Sequence, residues 1–507
     1  MSSLVKGIIS AGNDGIIVDV ECHLSNNLPN IVVVGFANKA VDEARERLRG
    51  AFASCGILLP RKRVILNLAP ADVPKVDSSF DLAMALSIMS ASCQITDRIK
   101  ADQCFIGELG LDGSLRPVRG IIGKILTGRQ KGLNAFFIPS ANLDQAQLVP
   151  GVILFPVSNL KEIFDHFNQA DQIPSITSGM SRSRQKEAEV TESNVGISEI
   201  VGQYQAKRAL EIAAAGGHNI FFSGPPGTGK SMLAKTLPSI MPLLNPEEVL
   251  EVTHLHSLAS NNYDRIISRR PFRAPHHTAS HVSVTGGGLN LRPGEISLAH
   301  RGILFLDELP EFHRSTLESL RQPLEDRLIS IARAKNAVDY PANFILVATA
   351  NPCPCGYYGT PGNCSCQPFQ IVRYRRRLSG PILDRIDLFA TVQDVDHQKL
   401  LGGVRDLDLE KSIKQRVADT RSIQAKRYGS GSKLNNDMTN SDIQLHANLT
   451  EEAKKLLDTA AIKLNISARS YMRTVKVART IADLEHSDCI GEGHVGEALA
   501  YRQHGVK

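Results

Sequence analysis

No run in the 507-residue sequence approaches the ~18 uninterrupted apolar residues of a membrane span, so no membrane partner is expected. The start, Met1-Ser2-Ser3-Leu4-Val5-Lys6, lacks a basic segment followed by a long apolar core. No secretory signal is therefore read, and the cytoplasm is the expected compartment. Internal repeats are also missing, which excludes solenoid and propeller arrays. Neither charge dominates: 58 Lys and Arg against 52 Asp and Glu leave a net charge of +6. That balance fits contact with a polyanion without demanding it. Cysteine is sparse outside one cluster. Cys22, Cys55, Cys93, Cys104 and Cys489 stand alone, as quiet core thiols do in a reducing compartment.

An apolar content of 42% with 22% charged residues is enough for large buried cores, and the length predicts about three domains. Residues 1–167 alternate β-rich runs (Ile16 to Val20, Ile31 to Val34, Val64 to Leu68) with helical spacing at Ala40 to Phe52 and Ser79 to Met89. These predict an α/β domain. Residues 168–195 are rich in Gln, Ser, Arg and Glu and read as a flexible linker. Strands and helices alternate again over 196–398. From 399 to 507 the pattern turns helical, with helices expected over 409–428, 449–465, 467–484 and 493–503.

The chemistry concentrates between residues 219 and 385. Asn219 to Ser223 reads as a strand running into Gly224-Pro225-Pro226-Gly227-Thr228-Gly229-Lys230-Ser231, and a helix comes next. Glycines let backbone N–H groups turn inward around phosphate oxygens, and the helix offers its positive end. Lys230 is expected on the β- and γ-phosphates of ATP and the Ser231 hydroxyl on Mg²⁺. Further along, Ile303-Leu304-Phe305-Leu306 makes a buried strand ending in Asp307-Glu308. Asp307 is the expected second partner of the Mg²⁺ shell, and Glu308 is set to orient or deprotonate the attacking water. A third strand, Phe344 to Ala350, ends in Asn351, whose amide can hold that water. Arg385 comes after a short helix, and Arg469 stands at the start of another.

Together these features resemble the AAA+ ATPases, in the branch of magnesium chelatases and MCM helicases, and within it the ComM/YifB family. The stretches that carry the likeness are Ala206 to Asn219, Phe272-Arg273-Ala274-Pro275-His276-His277-Thr278, Gly294 to Gly302, and Ala478 to Leu484. The resemblance implies an AAA+ P-loop NTPase core with a parallel sheet and a C-terminal helical lid. It implies Asn351 as sensor, Arg385 as a finger reaching a neighbouring subunit's ATP, and Arg469 as a lid sensor on its own subunit's phosphate. It also implies a homo-hexamer. The residues alone leave an ion pair of Arg385 with Asp384 or Asp387 open, as well as Arg473 in place of Arg469.

The interval before Asp307 is long and holds His276, His277, His281 and the run Gly286 to Asn290. In the resembling family it corresponds to an insert that projects into a ring's channel. Leu328 to Val338 predicts a second hairpin, with Arg333 and Lys335 at its tip. Cationic moving loops can track a phosphate backbone without reading bases. Open alternatives are a helical metal pair of His277 with His281, a plain surface loop at the glycines, and a solvated or subunit-facing role for Arg373, Arg375, Arg376 and Arg377.

Cys353, Cys355, Cys364 and Cys366 crowd one Gly- and Pro-rich loop. Four thiolates can close a structural Zn²⁺ site, though the one-residue gaps are tighter than usual; a metal-free thiol loop is the alternative.

The first domain resembles the Lon protease-like fold (ribosomal S5 domain 2-like) that is also appended to RadA, through Pro74 to Leu82 and Pro117 to Leu126. The likeness puts Ser79 at the nucleophile position, Ile122 where the base lysine is expected, and Lys124 at a second, non-catalytic lysine. A hydroxyl without a base is a poor nucleophile. Subunit packing or an added DNA-binding tier is the expected use.

Three functions share this ATPase core. The family likeness implies an ATP-dependent helicase and branch-migration motor that integrates incoming single-stranded DNA in natural transformation and homologous recombination. Its partners would be single-stranded and branched DNA and the recombinase machinery. A chelatase-type remodelling ATPase acting on a protein partner is the second. A Lon-like ATP-dependent protease is the third.

Overall fold

The computed structural model describes residues 2–35, 39–71, 77–178, 195–260, 265–288, 291–333, 336–359, 364–377, 380–394 and 406–502. It divides into two compact units. One comprises Met1–Ala188, Asn245–Ile267 and Leu289–Arg292, the other Glu189–Leu244, Ser268–Gly288 and Pro293–Lys507. Among the described residues no helix is long and apolar enough to cross a membrane.

The first unit holds two four-stranded sheets. In one, the strands run in the order Ser2–Ala11, Asp14–Ser25, Arg63–Ala69, Asn30–Val34, antiparallel except for the last pair. The other runs Ile176–Thr177, Ile153–Val157, Ala135–Pro139, Gln103–Phe105. Helix Asp81–Ala91 is buried on nearly every face, which its Leu, Ala, Met and Ile residues, interrupted only by Ser87 and Ser90, permit. Phe105, Phe137 and Phe155 stack in series at 4.8 and 4.4 Å between ring centroids.

Two boundaries differ from the sequence reading. Ile176–Thr177 pairs with Ile153–Val157, and the Ser178 hydroxyl accepts the Val152 N–H at 3.0 Å. Ordered chain therefore continues past 167 to Ser178, while 179–194 lie outside the described residues. In addition, helix Pro246–Ala259, expected in the ATPase core, belongs to the first unit. Its start is fixed by a capping box, in which Asn245 Oδ1 accepts the Glu248 N–H and the Glu248 carboxylate accepts the Asn245 N–H. His254 of this helix donates to the Asn13 carbonyl at 2.6 Å, and a Cβ on Gly123 would strike its ring.

The second unit is built on a five-stranded parallel sheet in the order Phe272–Arg273, Ile303–Leu306, Ile345–Ala350, Ile220–Ser223, Leu388–Thr391. Ile303–Leu306 and Ile345–Ala350 are buried at every position, as parallel strands covered on both faces must be. The C-terminal helices Leu407–Tyr428, Asn440–His446, Glu451–Lys463, Ala468–Leu484 and Glu492–Ala500 come after it. Asp406, Thr439, Thr450 and Ser467 cap the first four with side-chain oxygens. Ile212, Phe222, Val347, Val417, Leu457 and Ile481 belong to one apolar core, so sheet and C-terminal helices bury their faces together. Helix Asn440–His446 was not foreseen; Ile443 is its one buried residue.

Candidate nucleotide-hydrolysis site

Parallel strands end at one edge, and the register brings three ends together. Ser223 pairs with Ala350, and Leu306 with Ala348, so Gly224, Asp307 and Asn351 all leave the same carboxyl edge. Gly229 stands in the left-handed region at φ +85° where the loop meets helix Lys230–Ile240, and a Cβ on Gly224 would strike the Val392 carbonyl. The first demands glycine for its backbone and the second for its space.

Lys230 is buried. Its ammonium donates to the Gly224 and Pro225 carbonyls at 2.8 and 2.6 Å and to Asn351 Oδ1 at 3.1 Å. Burial lowers its pKa, opposed by Asp307, Glu308 and Asp394. Ser231 Oγ donates to Asp307 Oδ2 at 2.8 Å. Thr349 completes the set: its hydroxyl donates to the other Asp307 oxygen and accepts the Glu308 N–H at 3.0 Å. Glu308 is exposed and stands at φ +52°, an uncommon conformation for a residue with a side chain, held by that hydrogen bond. The sequence reading passed over Thr349. Its one signal is a polar side chain in an otherwise apolar strand.

The arginines lie elsewhere. Arg385 is buried, and its guanidinium pairs neither with Asp384 nor with Asp387 but with Glu325 at 2.5 Å. Arg469 is exposed, and its Nη1 stands 3.8 Å from the same Glu325 oxygen. Arg473 donates to Asp387 at 2.7 Å and to the Arg385 carbonyl at 3.1 Å. Burial pushes the Asp387 carboxyl up, but Arg473 and His218 outweigh it and hold it well below the usual carboxylate range. Asn219 is a further residue that sequence reasoning missed. Its side chain donates to the Arg385 carbonyl at 3.0 Å and accepts the Leu346 N–H at 2.9 Å.

The expected DNA-facing segments are described in part. Strands Leu328–Arg333 and Asn336–Pro341 form the antiparallel hairpin, with Arg333 opposite Asn336. Lys335 lies outside the described residues, as does the Arg333 side chain. The hairpin is tied to helix Arg321–Asp326 through Gln322 Nε2 and Ser330 Oγ at 3.1 Å. The His276 and His277 rings lie 4.1 Å apart and tilted, and His277 meets Phe312 edge-on. The helix there begins only at His281, so His277 and His281 do not share a helical face. Gly286–Gly287 is a short strand, and 289–290 lie outside the described residues. Arg375 lies over the Tyr358 ring at 5.3 Å, and Arg377 pairs with Glu311 at 2.9 Å.

The four clustered cysteines converge. Cys353 Sγ stands 3.3 Å from Cys355 Sγ and 3.8 Å from Cys364 Sγ, and all four sulfurs lie within 4.8 Å of one another. In the first unit Ser79 Oγ donates to the Ile8 carbonyl at 2.8 Å, while buried Lys124 pairs with Asp77 at 2.6 Å. Ile122 is buried in the apolar core.

Three family profiles match successive parts of the chain. A family profile described as "Magnesium chelatase, subunit ChlI" matches residues 196–400. "Subunit ChlI of Mg-chelatase" matches 20–142, and "Magnesium chelatase, subunit ChlI C-terminal" matches 410–502. The chain is 40% identical over 505 residues to Competence protein ComM of Haemophilus influenzae, covering 99% of this chain and 97% of that protein. It is 40% identical over 488 residues to YifB of Escherichia coli, covering 96% and 94%. The chain belongs to the ComM/YifB family of magnesium chelatase-like AAA+ proteins. A shorter likeness, 36% over 107 residues, is to DNA repair protein RadA of Bacillus subtilis, covering 21% of this chain and 23% of that one. The parallel sheet and helical C-terminus agree with a ComM/YifB-family fold. Membership also implies use of nucleotide and magnesium. The residues fit the ion: Ser231 and Asp307 offer hard oxygen donors 2.8 Å apart, close to the ~2.9 Å between adjacent corners of a magnesium octahedron.

Proposed function

We propose that this ComM/YifB-family chain is an ATP-hydrolysing DNA motor. It works as a ring of six copies and drives branch migration as an incoming single strand is integrated during natural transformation and recombination. The supporting observation is the meeting of Lys230, Ser231, Asp307 and Asn351 at one sheet edge, in a chain aligned end to end with a competence protein.

Lys230 leaves its loop carbonyls for the β- and γ-phosphates. Ser231 and Asp307 hold magnesium, which neutralises phosphoryl oxygen charge when bound. Thr349 fixes Asp307 and aims Glu308, and Glu308 with Asn351 orients the attacking water. Arg385 serves the neighbouring subunit's ATP, where an arginine in trans is worth roughly 10³ to 10⁵ in rate. Arg469 shares the Glu325 carboxylate with Arg385. Arg469 is accordingly read as serving the neighbour's phosphate, where the family resemblance implies its own subunit's. The Leu328–Pro341 hairpin, with Arg333 and Lys335, and the His276–His277 segment are read as the DNA-tracking loops.

The domains are read as a Lon protease-like first unit and an AAA+ core with a helical lid. A working protease is not favoured. Ser79 donates to a backbone carbonyl, and the nearby lysine is occupied by Asp77. The first unit is read instead as packing surface or an added DNA-binding tier.

A labelled three-strand DNA substrate tests the motor. Wild-type protein with ATP should move the branch point, and Lys230→Ala should not. Absence of both movement and DNA-stimulated hydrolysis would favour remodelling of a protein partner.

A further inference from the structure

We propose that Cys353, Cys355, Cys364 and Cys366 bind one zinc-class cation, and that the loaded loop holds the phosphate loop in its nucleotide-binding position through Gly356 and Pro226.

The first half rests on sulfur geometry. Four thiolates at about 2.3 Å from a common ion stand about 3.8 Å apart in a tetrahedron. The observed separations are 3.3 Å for Cys353–Cys355, 3.6 Å for Cys355–Cys364 and 3.8 Å for Cys353–Cys364. None approaches the ~2.05 Å of a disulfide, and all nine cysteines are free. Backbone N–H groups point at the sulfurs, as thiolate ligands require. Tyr358 N–H donates to Cys353 at 3.3 Å, and the Tyr357 and Ser365 amides turn toward Cys355. The one-residue gap between Cys353 and Cys355 is accommodated by the turn in which Gly356 N–H donates to the Cys353 carbonyl at 3.0 Å. On loading, the thiols release their protons to solvent and no redox step is involved.

The second half rests on where this knot lies. Cys353 is two residues beyond Asn351, whose amide carries the Lys230 contact. Cys364 and Cys366 lead into helix Pro368–Arg377, which buries Ile371 and Tyr374. Gly356 stands at φ +88° against the phosphate loop, so close that a Cβ would come 2.5 Å from Pro226 Cδ. The ion therefore fastens together three things the nucleotide site needs fixed: the Asn351 turn, the Tyr374 helix and the Pro226 wall. The coupling, though not the metal site, rests on the ATPase reading.

The test uses full-length protein purified without chelators. Elemental analysis should find about one zinc per chain, and a Cys364→Ser/Cys366→Ser variant should lose it. Protein grown on cobalt should show thiolate-to-metal charge-transfer absorption, a readout independent of catalysis. Protein that contains no zinc, and takes up neither Zn²⁺ nor Co²⁺ when reduced and titrated, overturns the metal site. Gly356→Ala should keep its zinc but bind ATP roughly tenfold more weakly, because the added methyl and the strain of φ +88° both shift the turn against Pro226. Retained zinc with unchanged ATP affinity overturns the coupling. Wild-type protein that holds zinc but no nucleotide would overturn the ATPase reading and the coupling with it.

Discussion

The buried guanidinium of Arg385 lies 2.5 Å from the carboxylate of Glu325, and exposed Arg469 approaches the same oxygen. One acid thus orients two cations. It stands on helix Arg321–Asp326, which leads directly into the hairpin read as DNA-facing. Glu325→Gln keeps the shape and removes the charge that aligns them. The expected result is a fall of roughly ten- to hundredfold in kcat for ATP, with KM nearly unchanged, since the arginine acts on transition-state charge. Steady-state hydrolysis on protein of verified oligomeric state checks this; a change confined to KM would count against it.

Thr349→Val conserves volume but deletes both the bond to Asp307 and the acceptor for the Glu308 N–H. A stability loss of about 1–2 kcal/mol is expected. Hydrolysis should fall at least roughly tenfold, because Glu308 is no longer aimed. Thermal melts and hydrolysis rates at varied magnesium measure the two effects separately. Wild-type rates in this variant would remove Thr349 from the site.

In the first unit the Asp77–Lys124 pair carries a pH dependence of known sign. Burial pushes the Asp77 carboxyl up, but Lys124 outweighs it, so the folded pKa lies below the ordinary 3.8. The stabilisation is therefore complete above about pH 4 and is lost as pH falls through the lower folded value. Asp77→Asn strands a buried lysine and should cost about 3–5 kcal/mol. It should also remove that part of the acid dependence in denaturant melts taken between pH 2 and 5.

His254 works in the opposite range. Burial lowers its pKa from 6.5, opposed by the Asn13 carbonyl and Asp14, so the folded chain holds a neutral ring. A depressed histidine contributes stability that is complete above about pH 6.5 and is lost as pH falls through the folded value. Amide exchange in helix Pro246–Ala259 should accelerate on acidification, and His254→Gln should weaken that dependence. Exchange independent of pH in the wild type, after correction for intrinsic rates, would contradict this.

Local signals made the phosphate loop legible. A buried strand must end, and the functional residues at its end are its immediate neighbours in the chain: Gly224 to Ser231, Asp307-Glu308 and Asn351 were all read that way. The alternation of strands and helices and four of the C-terminal helices are legible from periodicity, whereas the parallel sheet comes from the family resemblance. Contacts between distant segments left no such trace. Glu325 resembles any helix acid until the fold brings Arg385 to it, and Thr349 hides in an apolar run. Helix Pro246–Ala259 shows its cap in the sequence, but not the partner its His254 will find. Ile176–Thr177 is a strand only because Ile153–Val157 is there to pair with it, in a stretch whose composition reads as linker.

A hydrolysis site divided between subunits is tested most directly by mixing two inactive variants before assembly. Lys230→Ala lacks the phosphate lysine but retains Arg385, and Arg385→Ala retains the lysine but lacks the arginine. Each alone should be inactive in ATP hydrolysis and in DNA branch movement. Mixed, they should regain both, because some interfaces then join an intact Lys230 to a neighbour's intact Arg385. Mixtures as inactive as either variant, under conditions where the two are shown to co-assemble, would contradict an arginine supplied in trans.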